Sequence, residues 1–413
     1  MELLLIHQNY PGQFRYLATA LRQRGHGVLG LGASAAGEAI PAGDQRLQLH
    51  YGWDPPPLPE NLLDPAVETA LRRAQRVADR CLTLRRDGYT PDAILVHSGW
   101  GEALYLREVW PDARLVVYPE LYASPRLLGY GFDADLGEAP LELRTQWRRR
   151  NLMNLAAIAD ADAVVVPTLF QRDTFPPHLR GRFHVIHEGV DLDALPLLPA
   201  RPIALPSGQV LEPDLPVITY VSRALEPLRG FRTFFRCLPA LMAAHPTLQV
   251  LVVGASEPGY GAVSPHPQGY RGEMLALFGS RLPLERIHFL GRVSRRLLLI
   301  LLQRTAAHVH LTYPYALSWS LIDAMACGAV VVGSDNPPVS EVIHHGLNGL
   351  LTPFNDPGAL AAWLGAILRK PQDFRPLARE ARRTVETRFS VASAAAAYES
   401  LLGSLMALPS APV

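Results

Sequence analysis

Short, unbroken apolar runs alternate with amphipathic stretches along the first half of the chain. Residues 2–7 (ELLLIH), 26–31 (HGVLGL), 92–97 (DAILVH), 113–118 (ARLVVY), 162–167 (DAVVVP) and 182–187 (RFHVIH) read as strands. Between the first two, Phe14, Leu17 and Leu21 recur at helical spacing, and Gly25 ends that helix. A long helix opens at Asp64, a capping acid with proline at the first helical position. Another helix covers about 141–158. Strands that are apolar throughout, and separated by helices, predict a parallel sheet covered on both faces.

The pattern then breaks. Residues 192–216 hold Pro196, Pro199, Pro202, Pro206, Pro213 and Pro216, the composition of a linker. It restarts with 217–222 (VITYVS), 248–254 (LQVLVVG), 286–291 (RIHFLG), 307–312 (AHVHLT) and 329–334 (AVVVGS) as strands. Helices are expected at about 230–244, 294–304 and 319–327, and three more helical stretches run from about 357. The reading is α/β, with two doubly wound, Rossmann-like domains facing across a cleft. Such sheets bind ligands beyond the C-terminal ends of their strands. The expected boundaries are an N-terminal domain over 1–195, a proline-rich linker over 196–216, a C-terminal domain over 217–385 and a last helical segment over 386–413.

Composition changes this picture little. A length of 413 residues exceeds what one core usually supports. The net charge of +1 gives no argument for nucleic acid as a partner. Cys81, Cys237 and Cys327 lie far apart without metal-ligand spacing and read as buried thiols of a reducing cytosol. No run approaches the roughly 20 apolar residues of a membrane span. The longest, LLLILLQ from Leu297, is bounded by Arg295, Arg296 and Arg304. The four apolar residues near Met1 are too few for a signal peptide. The expectation is a cytoplasmic protein.

Candidate chemistry sits in the loops. In VSRALEPLRGF, Arg223 and Arg229 follow a strand and precede a helix, and Gly230 permits a tight turn into it. Two guanidiniums at such a place suit a pyrophosphate. They also suit solvent. In YPYALSWSLIDAMACG, Ala316, Leu317 and Ser318 offer backbone donors before a helix, and Asp323 lies a turn inside it among apolar residues. A carboxylate there needs a partner. Vicinal ribose hydroxyls, a backbone group or an arginine would each serve. Weaker signals are GLGASA (30–35), a dinucleotide-type pattern after the wrong strand, and DAD (133–135), which resembles a metal-binding DxD. His308 and His310 alternate on an apolar strand and read as core residues. Arg144 and Arg148 share a helix face with Trp147 close by, fitting solvent, an anionic acceptor or lipid headgroups at a membrane surface.

Taken together, these stretches resemble a family. YALSWSLIDAMACGAVVVGSDNPPVSEVIHHGLNGLL is similar to the signature region of retaining family-4 glycosyltransferases, which have the GT-B fold. Residues 323–328 (DAMACG) match that family's EAMACG, and Ser340-Glu341 and 346–349 (GLNG) match later elements. VIHEGVDLD resembles the end of its first domain, and HQNYPGQFRYLATALRQRGHGV a first-domain variant. The resemblance implies transfer of a sugar from a nucleotide-diphosphate donor to a hydroxyl acceptor, in cell-surface glycan or glycoconjugate synthesis, with no cofactor and no metal. It implies that Arg223 and Arg229 hold the donor diphosphate and that Asp323 accepts from the ribose. Tyr315, Ala316, Leu317 and Ser318 would contact phosphate and sugar, and Gly291, Arg292 and Val293 would lie at the base. Gly12 would let the backbone approach the donor, His97 would lie near the transferred sugar, and Glu120 on the acceptor side. The last helix would cross back to the first domain.

The chain also departs from the family. Tyr315 replaces its first glutamate, Asp323 shortens the second by one methylene, and Arg229 replaces a lysine. A nucleotide-sugar epimerase or a phosphorylase fits the DAMACG region less well. A catalytically weak GT-B scaffold that binds a nucleotide or a partner is the alternative that Tyr315 keeps open.

Overall fold

The computed structural model describes residues 1–33, 48–134, 136–195, 197 and 202–409. The strands expected in the first half are present, joined by a short β3 that the sequence did not signal: β1 (Glu2–Ile6), β2 (Gly27–Gly32), β3 (Leu49–His50), β4 (Ala93–His97), β5 (Arg114–Tyr118), β6 (Ala163–Val166) and β7 (Phe183–Val185). All pair in parallel, in the order β3-β2-β1-β4-β5-β6-β7. The helices between them are α1 (Arg15–Gln23), α2 (Pro65–Arg86), α3 (Leu106–Val109), α4 (Leu141–Asp160) and α5 (Leu169–Asp173). Asp64 caps α2 as its position predicts, accepting from the amides of Ala66 and Val67 at 3.1 and 3.3 Å. Every residue of β4 and β5 is buried, as strands covered on both faces require.

The second half holds β8 (Ile203–Ala204), β9 (Val210–Leu211), β10 (Val217–Ala224), α6 (Phe231–Ala244), β11 (Gln249–Ala255), α7 (Gly269–Phe278), β12 (Ile287–Gly291), α8 (Arg295–Arg304), β13 (Ala307–His310), α9 (Trp319–Ala326), β14 (Val331–Ser334), α10 (Val339–Val342), β15 (Leu350–Thr352), α11 (Pro357–Arg369) and α12 (Pro371–Arg388). Its main sheet is parallel, in the order β12-β11-β10-β13-β14-β15. Aromatic packing anchors it. Tyr220 of β10 stacks on Phe234 of α6 at 4.7 Å, and Phe231 and Phe235 are fully buried beside them. Each such side chain contributes about 1.5–3 kcal/mol of burial. The last helix, α13 (Val391–Met406), packs on α1 and β5.

The chain divides into two compact units. Unit 1 comprises Met1–Pro125, Ala139–Gly189 and Ser390–Val413, and unit 2 comprises Arg126–Glu138 and Val190–Phe389. These bounds differ from the expected ones. Residues 126–138 and 190–195 group with unit 2, not with the rest of 1–195, and residues 386–389 group with unit 2 as well. The Phe132 ring meets Tyr313 and Phe354 at 5.6 and 5.3 Å, and the Tyr313 hydroxyl donates to the Asp133 carboxylate. The proline-rich run is not wholly a linker either. β8 and β9 form a hairpin whose Ile203, Leu205 and Leu211 join a core with Val217, Leu251 and Leu301. Arg304 fastens it, donating to the carbonyls of Glu212 and Leu215 at 2.9 and 2.7 Å.

In each unit the strand order reverses at one place. In unit 1 it lies between β1 and β4; in unit 2 it lies between β10 and β13. Crossovers leave in opposite directions there, so the loops part and open a crevice at the C-terminal strand ends.

Candidate active site

The unit 2 crevice is cationic and aromatic. A bulge shifts the pairing of β10 between Val221 and Ala224, and Arg223 sits in it, exposed at the sheet's end. Its guanidinium lies 5.0 Å from the Tyr260 ring and donates to the Tyr260 hydroxyl. Arg229 follows on the short turn 227–229, where Gly230 takes φ +69° and starts α6. A Cβ at Gly230 would lie 2.3 Å from that of Leu311, so the turn needs glycine twice over. Arg229 donates to the Thr312 hydroxyl at 2.9 Å and lies 5.5 Å from the Tyr315 ring. The Tyr260 and Tyr315 rings are 6.1 Å apart. The four side chains form one ladder, Arg223–Tyr260–Tyr315–Arg229, each rung within cation–π or ring-contact range. Burial lowers the Arg229 pKa from its ordinary value, with Tyr315 and Glu226 opposing. A desolvated guanidinium of this kind interacts strongly with an anion.

Three further calls fall nearby. Ser318 is the N-cap of α9, accepting from the Ser320 amide at 3.4 Å, and Ala316 and Leu317 lead into it with buried side chains. Gly291 ends β12 with φ +62° and open space where a side chain would stand, and Arg292 and Val293 follow it. Asp323 is 2% exposed and has a partner: Arg295 of α8 grips both its oxygens at 2.8 Å. The arginine reading of that carboxylate is therefore the one seen. Such a pair leaves a carboxylate lone pairs for a further donor. Among residues that sequence reasoning passed over, Tyr260 and Glu226 stand out. The buried Glu226 carboxylate accepts from the Gly261 amide at 2.8 Å and so pins the loop that carries Tyr260. A cavity of about 740 Å³ opens along that loop.

The unit 1 crevice is built of histidine, tryptophan and acid. His97 ends β4, 2% exposed, and its ring stacks on Trp100 at 4.0 Å. Its Nδ1 accepts from the Gly99 amide at 3.3 Å, which places the proton of the neutral ring on Nε2. Glu120 Oε2 lies 3.6 Å from that Nε2, beyond hydrogen-bond distance. Glu120 has φ +58°, the one non-glycine residue in left-handed conformation among the described residues. Strain of this kind persists only where the surroundings impose it. Here Gln171 holds the Glu120 carbonyl at 3.0 Å, and Asn154 holds those of Pro119 and Leu121 at 3.0 and 3.2 Å.

His7, just beyond β1, was not singled out by its motif. Its ring is edge-on to His97 and to Trp100, at 5.2 Å from each. Burial, then the neighbouring His97, pushes its pKa down to about 3. Gly12 has φ +48°, and a Cβ there would fall 2.3 Å from the His7 ring. The structure thus gives Gly12 a reason of its own, close contact with the His7 ring. Glu102 completes the cluster. It is fully buried, 3.9 Å from the Arg73 Nε, and burial raises its carboxyl above the usual range with Arg73 opposing. Only a strand-end position, the same signal that marked His97, would have found His7.

The remaining calls divide. His308 and His310 are buried, as their alternation predicts, and the three cysteines are buried and free. In DAD, Asp133 accepts from Tyr313, while Asp135 lies outside the described residues, as do Ser34 and Ala35 of GLGASA. Among the described residues, no group of three or more His, Cys, Asp or Glu could hold a metal ion. Among them, no helix is long and apolar enough to cross a membrane. Trp147 is not available as a membrane anchor. Its ring is 9% exposed, packed into unit 1 with Arg150 over it at 5.4 Å.

Two parallel, Rossmann-like domains with ligand crevices at their switch points define the GT-B architecture. Among solved structures, sucrose-phosphate synthase from Thermosynechococcus elongatus matches with a TM-score of 0.72 at 21% identity, over 98% of this chain and 99% of that one. Anabaena HepE, solved in complex with UDP, matches with a TM-score of 0.69 at 18% identity, over 98% and 100%. In sequence, residues 43–195 match the profile of the glycosyl transferase family 4 group, and residues 206–384 that of glycosyl transferases group 1. Both matches are to glycosyltransferase profiles, and neither one spans half of the chain. A D-inositol 3-phosphate glycosyltransferase of Rhodococcus jostii (strain RHA1) is 26% identical over 242 residues, 57% of this chain and 51% of that one. The amylovoran biosynthesis glycosyltransferase AmsK of Erwinia amylovora is 39% identical over 71 residues, 17% of each. The chain thus spans about half the length of the first of these relatives.

Proposed function

We propose that the protein is a retaining glycosyltransferase that moves a hexose-type sugar from a nucleotide-diphosphate donor to a hydroxyl acceptor. The observation that carries this reading is the convergence of Arg223 and Arg229 on one aromatic ladder at the unit 2 switch point. Transfer builds negative charge on the departing diphosphate. Two fixed guanidiniums, with the amides that open α6 and α9, stabilise that charge without a metal ion. The solved likenesses to HepE with UDP and with UDP-glucose support a nucleotide-sugar donor.

Asp323 accepts from the ribose through the lone pairs that Arg295 leaves. Gly291, Arg292 and Val293 face the base through their backbone. Tyr315 takes the place of the family's sugar-binding glutamate, presenting a phenol and a ring where that acid would stand. On unit 1, His97 donates from Nε2 to a hydroxyl of the transferred sugar, and Glu120 addresses the incoming acceptor hydroxyl. The reaction takes place in the cytoplasm. A role in cell-surface glycan synthesis draws support from the likeness to a protein named for amylovoran biosynthesis.

The test is turnover of a UDP-hexose panel, with the anomeric configuration of the product read by NMR. Arg223→Ala should lower kcat on the order of 10²–10³-fold in a folded protein. Near-normal turnover in that variant would overturn the assignment. Failure of the wild type to bind any nucleotide sugar would favour the scaffold reading.

A further inference from the structure

We propose that unit 1 carries a phosphate-binding pocket between α4 and the loop Tyr122–Pro125, and that it seats an anionic acceptor; the second half of this statement rests on the transferase reading. The pocket has a volume of about 590 Å³. Its walls include Tyr122, Trp147 and Phe175, and three arginines line it: Arg144, Arg148 and Arg180. Among the described residues, no acidic side chain lines it.

The three arginines are not equivalent. Arg180 is committed, donating to the carbonyls of Phe175 and Asp173 at 2.8 and 2.6 Å. Arg148 reaches only the Tyr122 hydroxyl, at 3.4 Å. The Arg144 side chain makes no hydrogen bond or ion pair among the described residues, and both Arg144 and Arg148 are exposed. Their i, i+4 spacing on α4 sets the two guanidiniums side by side. Two adjacent, uncommitted guanidiniums over an aromatic floor match the charge and the oxygens of a phosphate. The half-buried Tyr122 ring offers a face for an apolar or sugar ring attached to it.

The pocket is joined to the His97–Glu120 cluster by its own construction. Tyr122 lies two residues beyond Glu120, at most about 7 Å of chain. α4 clamps the loop between them. Asn151 accepts from the Ala123 amide at 2.6 Å and donates to its carbonyl at 2.9 Å, while Asn154 holds Pro119 and Leu121. The helix that carries the arginines is therefore the helix that positions Glu120. An acceptor held by its phosphate on Arg144 and Arg148 would extend along this loop toward Glu120. The phosphate belongs either to a soluble phosphorylated acceptor or to a lipid headgroup or carrier.

Calorimetry on the full chain with glucose 6-phosphate and glucose, and flotation with vesicles of phosphatidylglycerol and phosphatidylcholine, separate the sources. UDP is titrated in parallel. The variants are Arg144→Gln/Arg148→Gln, whose exposed side chains the fold does not need, and Arg148→Lys. Binding of glucose 6-phosphate but not glucose, weakened at least 10-fold in the double variant and partly kept by Arg148→Lys, establishes a soluble phosphate source. Vesicle binding lost in the double variant, without affinity for glucose 6-phosphate, establishes a lipid source. Wild type and double variant behaving alike toward both probes overturns the proposal, and the UDP titration shows whether the transferase reading stands regardless. Phosphate binding in a chain that ignores UDP would keep the pocket and discard its acceptor role.

Discussion

The two switch points share a topology and differ in chemistry. In unit 2 the strand ends present arginine and tyrosine, partly open to solvent, in the ladder from Arg223 to Arg229. In unit 1 they present His7 and His97, buried, edged by Trp100 and faced by Glu120 and Glu102. One crevice presents guanidiniums and phenols, the other buried imidazoles and carboxyls. The same crossover geometry thus supplies two unlike crevices, and the strand-end residues decide the chemistry of each.

The largest effects should come from the glycines that set each half-site. Gly230→Ala places a Cβ 2.3 Å from Leu311 at φ +69°, and Gly12→Ala places one 2.3 Å from the His7 ring at φ +48°. Each should cost on the order of 3 kcal/mol in denaturant unfolding. Gly230→Ala should weaken nucleotide binding, whereas Gly12→Ala should spare it. Equal loss of nucleotide affinity in both would erase the distinction between the crevices.

Asp323 offers a sharper cut. Asp323→Ala removes the carboxylate that Arg295 grips and should cost about 2–3 kcal/mol, less than a wholly buried pair because the Arg295 side chain is 30% exposed. Arg295→Ala should destabilise comparably. If Asp323 also meets the ribose, only Asp323→Ala should lose most of its nucleotide affinity by calorimetry. Parallel losses in the two variants would reduce Asp323 to a structural partner.

Acid should strain the units unequally. Burial pushes His308 of unit 2 and His7 of unit 1 down to about 3, and His310 of unit 2 well below its ordinary value. Unfolded, each takes up a proton near the ordinary histidine value of 6.5; folded, none does until much lower pH. Their contribution is therefore intact above about pH 6.5 and shrinks as pH falls toward 3, by about 1.4 kcal/mol per pH unit for each histidine. Between pH 6.5 and 5, above the usual carboxylate range, unit 2 should lose stability more steeply than unit 1, because burial also lowers His245 and His288 of unit 2. Hydrogen exchange resolved by unit checks this, and equal slopes would count against it. The smallest effect is Tyr315→Glu, which restores the family acid. It should alter preference among donor sugars and weaken UDP binding less than Arg223→Ala does, because the new carboxylate stands beside Arg229 and competes with a diphosphate for its charge.

The periodic parts of this fold were legible in the sequence. Unbroken runs such as 92–97 and 113–118 gave β4 and β5 within a residue, and Asp64-Pro65 marked the start of α2, because period and capping are local properties. What was not legible depends on contacts distant in sequence. Residues 126–138 carry no signal that Phe132 will meet Tyr313 and Phe354. The prolines of 192–216 hid a hairpin whose three apolar residues are buried by Leu251 and Leu301. Arg223, Arg229 and His97 were visible as strand-end residues. Tyr260 was not, since it sits mid-loop and is placed only by Glu226 holding Gly261. Asp323 was visible as an acid needing a partner, but Arg295, 28 residues earlier, was seen only as a boundary of an apolar run.

The most direct test of the central claim, that unit 2 is the half-site for a diphosphate, is calorimetric titration of UDP, GDP, dTDP, ADP and CMP into the wild type and Arg223→Ala. The account predicts that one nucleoside diphosphate binds selectively, that CMP with its single phosphate binds weakly, and that Arg223→Ala abolishes the difference. Diphosphate binding that is unchanged in Arg223→Ala, or no binding of any of the five, would contradict it.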